Sequence, residues 1–101
     1  MVVDEEENRR EDAEALAAAG LELLVTAVRD VAGALDAVET MAARAGRPAP
    51  PRPRLVASPA PTVRAFVPIW RRPWMTINAD TYGASVLAAA GVELVTAGAP
   101  E

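Results

Sequence analysis

The residues best equipped to bind something lie in one short run, Trp70-Arg71-Arg72-Pro73-Trp74-Met75, with Tyr82 a little further on. Indole and phenol rings offer broad, stiff contact faces at low entropic cost, and each carries one polar handle. Arginine forks pair with carboxylate or phosphate groups in two-pronged fashion. For Trp70 and Trp74, packing in a core or a turn competes with ligand contact. For Arg71 and Arg72 the competing account is a solvated turn. Tyr82 suits a cleft wall or a packed helix start equally, and Asp80 reads first as a helix cap.

Other chemistries find little support. The 101 residues include no cysteine and no histidine, which removes disulfides, Cys/His metal sites, thiol nucleophiles and His-based triads. Ser58 and Ser85 have no histidine to activate them and no nucleophile elbow around them. The isolated glycines mark helix ends, not a phosphate loop. Glu11 and Glu14 share a helix surface without a cleft. The run Asp4-Glu5-Glu6-Glu7 lacks the alternating ligands and turn glycine of a calcium loop, and reads as a solvated helix start. The expectation is a protein that is not an enzyme and holds no metal through its own side chains.

Charge is unevenly spread. The net charge is −4, and seven of the fourteen acids fall in the first fourteen residues. Between Arg44 and Arg72 stand seven arginines and no acid. The acidic balance argues against nucleic acid as a partner. No stretch approaches the roughly 20 apolar residues that span a bilayer. The acidic N-terminus is unlike a secretion signal, so the chain as encoded is expected to be cytoplasmic.

Three kinds of element must position the binding run. Met1-Val2-Val3 reads as the end of a strand. Asn8 and Glu11 form a capping-box pattern for a helix from Arg9 to Ala19, with Ala13, Leu16 and Ala17 as its apolar face, stopped by Gly20. Leu21–Thr26 follows as a strand. Asp30 caps a helix from Val31 to about Arg44, whose apolar stripe is Val31, Leu35, Val38 and Met41, and Gly46 ends it. Six of the nine prolines lie between Arg47 and Pro61, which makes this an extended linker. Val63–Trp70 reads as one extended run, with Pro68 marking an edge or bulge. The Arg71-Arg72-Pro73 turn then leads to Trp74–Ile77. Asp80 caps a helix from Thr81 to Ala90, Gly91 stops it, and Val92–Thr96 is the last strand. After the linker the expected order is β-β-α-β. The fold class is α/β, with short strands alternating with helices and a Pro-rich linker in the middle. Its half-finished sheets leave edges open to self-association.

The segment FVPIWRRPWMTINADTYGASVLAAAGVELVT (66–96) resembles the opening of the second lobe in the helical-backbone metal receptor superfamily, the cobalamin- and iron-siderophore-binding proteins of ABC importers. There, an apolar strand, an aromatic-Arg-x-Pro turn, a short strand, an Asp-Thr helix start and a helix closing on Gly follow in this order. DEEENRREDAEALAAAGLELLVT (4–26) is similar to the stretch near the end of the first lobe, and Val31–Arg44 to the start of the helix that joins the lobes. The resemblance implies a partial bilobal (class III) binding protein. Residues 1–46 would be the end of the first lobe and the start of the interlobe helix, 47–62 the linker, and 63–101 the start of the second lobe. It further implies a non-catalytic substrate-binding component that carries cobalamin or a ferric siderophore, without a covalently bound cofactor, to a membrane permease outside the cytoplasm. Trp74 takes the place of an aromatic that faces the ligand, with Trp70, Arg71, Arg72, Met75 and Tyr82 around it. The contrasting expectation is a small stand-alone interaction or dimerisation module.

Overall fold

The computed structural model describes residues 1–54 and 60–100. Ser58 and Pro59, part of the linker reading, lie outside the described residues. The fold mixes helix and strand in two small β/α units.

In the first unit β1 (Val2–Asp4), α1 (Arg10–Ala18) and β2 (Leu24–Thr26) follow in order, and β1 pairs in parallel with β2, Val3 opposite Val25. The connection into α1 is built by side chains. The Asp4 carboxylate accepts from the Glu6 amide at 3.0 Å, and the Asn8 side-chain carbonyl accepts from the Asp4 amide at 2.9 Å. Asn8 is thus engaged in the loop and does not cap α1, and the expected capping box with Glu11 is absent. The cap position falls on Arg9, which gives no side-chain capping bond and instead pairs with Asp12. Acids in the first turn, Glu11 and Asp12, still meet the positive end of the helix. Ala13 and Leu16 are half-buried as expected, whereas Ala17 is exposed. β2 is shorter than its apolar run because its ladder begins where Leu24 donates to the Met1 carbonyl, leaving Leu21–Leu23 without a partner strand.

α2 (Val31–Arg44) starts at Asp30, whose carboxylate accepts from the Gly33 amide at 2.6 Å. It closes on Gly46 at φ +63°, with the Arg47 amide returning to the Ala42 carbonyl. Val31, Leu35 and Met41 are half-buried, but Val38 is exposed.

The second unit contains β3 (Val63–Ala65), β4 (Pro68–Arg71), β5 (Trp74–Thr76), α3 (Tyr82–Ala89) and β6 (Val92–Leu94). The single run expected from Val63 to Trp70 is divided. β3 pairs in parallel with β6, while β4 turns away to pair antiparallel with β5. The order is therefore β-β-β-α-β, with Phe66-Val67 at the break. Between Pro68 and Trp70 the register shifts, the irregularity that a strand proline demands. α3 is capped by Thr81, whose hydroxyl accepts from the Ala84 amide at 3.2 Å, and not by Asp80. Asp80 lies one residue too early, and its carboxylate sits 3.6 Å from Arg29. Gly91, at φ +81°, ends the helix as expected.

Val3, Ala84 and Leu94 are the buried apolar residues among those described. α2 and α3 join the two units. The Ser85 hydroxyl accepts from the Val31 amide at 3.0 Å, satisfying one of the free donors at the start of α2. In the described part of the linker, 47–54 and 60–61 adopt neither helix nor strand and are exposed. No helix among the described residues is long and apolar enough to cross a membrane.

Candidate functional site

The Trp/Arg run forms the tip of the β4–β5 hairpin. Its register sets Arg71 opposite Trp74 and Trp70 opposite Met75. Residues directly opposite share a face, and successive residues alternate between faces. Arg71 and Trp74 therefore belong to one face, Trp70 and Met75 to the other. The two indoles do not line a single wall. Arg72 sits in the turn with Pro73, across a cis peptide bond.

The indoles differ in more than direction. Trp70 donates its ring N–H to the Arg72 carbonyl at 3.1 Å, so its polar handle is already used inside the hairpin. Trp74 is the more exposed at 69%, against 63% for Trp70, and its N–H has no protein partner among the described residues. Nor does Arg71 make an ion pair with any described residue. The Arg71–Trp74 face thus offers an open ring, a free donor and an unpaired guanidinium side by side. Tyr82 stands on a different element, at the first position of α3, and is exposed.

The base of the hairpin is fixed by threonines. The Thr76 hydroxyl donates to the Val67 carbonyl at 2.8 Å and meets the Thr96 hydroxyl at 3.3 Å. Thr96 donates to the Ile77 carbonyl at 2.7 Å, and the Asn78 amide reaches the Ala99 carbonyl at 3.1 Å. β5 is thereby stitched to the segment that follows β6. Sequence reasoning missed Thr96 and Asn78, because no local pattern marks a pairing across some twenty residues.

Surface hollows lie elsewhere. One, of about 800 Å³, opens between α1 and the β1–β2 pair and is lined by Val3, Leu23, Val25, Asp4, Glu5 and Glu14 among others. A second, of about 520 Å³, lies where Arg29 and Asp30 meet α3 and β6. Neither is lined by residues of the hairpin, whose Trp70, Trp74 and Met75 are exposed. No cluster of acidic side chains suited to a metal ion occurs among the described residues.

Compared with family models, curated proteins and solved structures, the chain shows no match. Function rests on the site alone.

Proposed function

We propose that this chain supplies one wall of a two-walled, non-catalytic clamp for a bulky metal chelate of the cobalamin or ferric-siderophore type. In a complete binding protein of the ABC-importer kind, a second lobe faces this wall and the loaded clamp delivers its cargo to a permease. The observation that carries the reading is the open Arg71–Trp74 face on a hairpin pinned by Thr76 and Thr96. A largely exposed ring and a guanidinium with no ion pair to a described residue match a planar macrocycle or chelate bearing carboxylate or phosphate groups. Two β/α units that meet through α2 and α3 also suit lobes that close by rigid-body motion.

Isothermal titration with cyanocobalamin and with a ferric hydroxamate siderophore tests this. A single wall is expected to bind one of them with a dissociation constant on the order of 100 µM, about −5.4 kcal/mol. Trp74→Ala abolishes the heat and changes stability by no more than about 0.5 kcal/mol, whereas Trp70→Ala leaves most of the heat and costs about 1 kcal/mol through its lost bond to the Arg72 carbonyl. Silence with both chelates, or titrations unaltered by Trp74→Ala, would sink the reading.

A second reading, an interaction module that self-associates, is favoured by one observation. The chain exposes 7,682 Å², whereas a compact monomer of 10.6 kDa exposes about 5,500 Å². Light scattering at increasing concentration separates the two.

A further inference from the structure

The stretch Arg47-Pro48-Ala49-Pro50-Pro51-Arg52-Pro53 has an unusual property. Each of its seven residues is a proline or directly precedes one. Proline fixes φ near −65°, and the residue before a proline is driven out of the helical region into the extended one. The whole stretch is therefore biased to an extended, polyproline II-type path, which has about three residues per turn. Residues 47–54 accordingly adopt neither helix nor strand, and every one is exposed.

Three residues per turn divide the stretch into three edges: Arg47, Pro50 and Pro53; Pro48, Pro51 and Arg54; and Ala49 with Arg52. The third edge is held against α2. Arg52 donates to Glu39 at 2.8 Å and to Asp36, acids three residues apart on one face of that helix. Arg47 and Arg54, on the other two edges, make no ion pair with a described residue. The ion pair thus anchors the edge without prolines and turns both proline-bearing edges outward, with an arginine three residues before the first proline of its edge.

We propose that residues 47–54 are a docking ligand for a polyproline-binding module. Its partner has a groove of aromatic side chains that receives Pro50, Pro53 and the Pro48/Pro51 edge, and an acidic pocket at one end that receives Arg47. The chemistry is that of preformed polyproline II recognition: the segment has little backbone entropy left to lose, ring faces pack on aromatic faces, and one charged fork sets direction. α2 acts as the splint. This surface is distinct from the hairpin and stands whether or not the chelate reading does.

The experiment is isothermal titration of the full chain with a recombinant SH3 domain that accepts Arg-x-x-Pro-x-x-Pro ligands, with a recombinant WW domain alongside. The SH3 domain binds the unaltered chain. Pro50→Ala and Pro53→Ala each weaken binding at least about tenfold, and Arg47→Ala by about tenfold. Pro61→Ala, outside the stretch, leaves it unchanged. Asp36→Asn with Glu39→Gln frees Arg52 and weakens binding a few-fold, because the displayed edges lose their support. These residues lie on the surface, and circular dichroism confirms that each variant keeps the parent's helix content. No heat with the SH3 domain at about 1 mM, equal binding by Pro50→Ala, or binding by the WW domain alone overturns the proposal.

Discussion

Two carboxylates are held below their ordinary range. The Thr26 hydroxyl donates to Asp4 at 2.7 Å and the Glu6 amide adds a second bond, so the charged form of Asp4 is favoured. At Glu39 the Arg52 guanidinium does the same, outweighing the effect of nearby Asp36. A carboxyl whose folded value is lowered binds fewer protons in the folded state than in the unfolded one. Its stabilisation is complete above the unfolded value, near 4, and disappears as the pH falls through the folded value. An acid titration followed by carboxyl-carbon NMR should show Asp4 and Glu39 titrating below the ordinary carboxyl range. Thr26→Val should return Asp4 toward the ordinary range and leave Glu39 alone, and Arg52→Ala should do the reverse. Identical curves in both variants would refute the assignment. Asp30 was readable as a cap because an Asp before an apolar helical stripe states its own role. The role of Asp4 was not, because its partner Thr26 comes from a strand that pairs with β1 only in the fold.

At the scale of elements, helix ends followed local chemistry, whereas strand bounds were set by their partners. Gly20, Gly46 and Gly91 each adopt the positive φ that ends a helix, as their positions after apolar runs imply. At α3 both Asp80 and Thr81 have cap chemistry, and the sequence offers no choice between them. The chain settles it because Asn78 accepts from the Asp80 amide at 3.0 Å and from the Thr81 hydroxyl through its own carbonyl at 3.1 Å. These bonds close the turn before α3 and leave Thr81 as the residue that meets the Ala84 amide. Thr81→Ala should then cost about 1 kcal/mol of local protection in the first turn of α3, read by amide hydrogen exchange. Asp80→Ala, which loses only a solvated pairing with Arg29, should cost less than about 0.5 kcal/mol. Equal costs would mean that the cap is shared. The split of Val63–Trp70 into β3 and β4 was hidden for a different reason: an apolar extended run does not state its partners, and here the two halves have different ones. The same holds for the hairpin faces, since the separation of Trp70 from Trp74 appears only once the register is known.

The molecule as a whole is open. Its radius of gyration is 16.7 Å, against about 13 Å for a compact domain of this length. The surface beyond that of a compact monomer is about 2,200 Å², more than the roughly 800 Å² per partner that a standard interface covers. The cause lies in composition and topology together. Alanine supplies much of the apolar content and little area per residue, and each parallel sheet has only two strands, too few to hold a covered core. Long-range order then depends on a handful of bonds such as Ser85 to Val31 and Thr76 to Thr96, each worth about 1 kcal/mol. Such a chain should unfold gradually. In urea its m-value should fall below the roughly 1 kcal/mol/M at the lower end for small compact proteins, because less surface becomes newly exposed. Helix signal and tryptophan emission should not move together, since both indoles are solvated from the start and report only on the hairpin. A bound partner that covers the open faces should steepen the transition and bring the two signals into step. A single sharp transition of the isolated chain at low concentration, the same by both probes and with an m-value of about 1–3 kcal/mol/M, would show a self-sufficient core. The need for an opposing wall or a second copy would then vanish, because the surface counted as waiting for a partner would already be closed in solution.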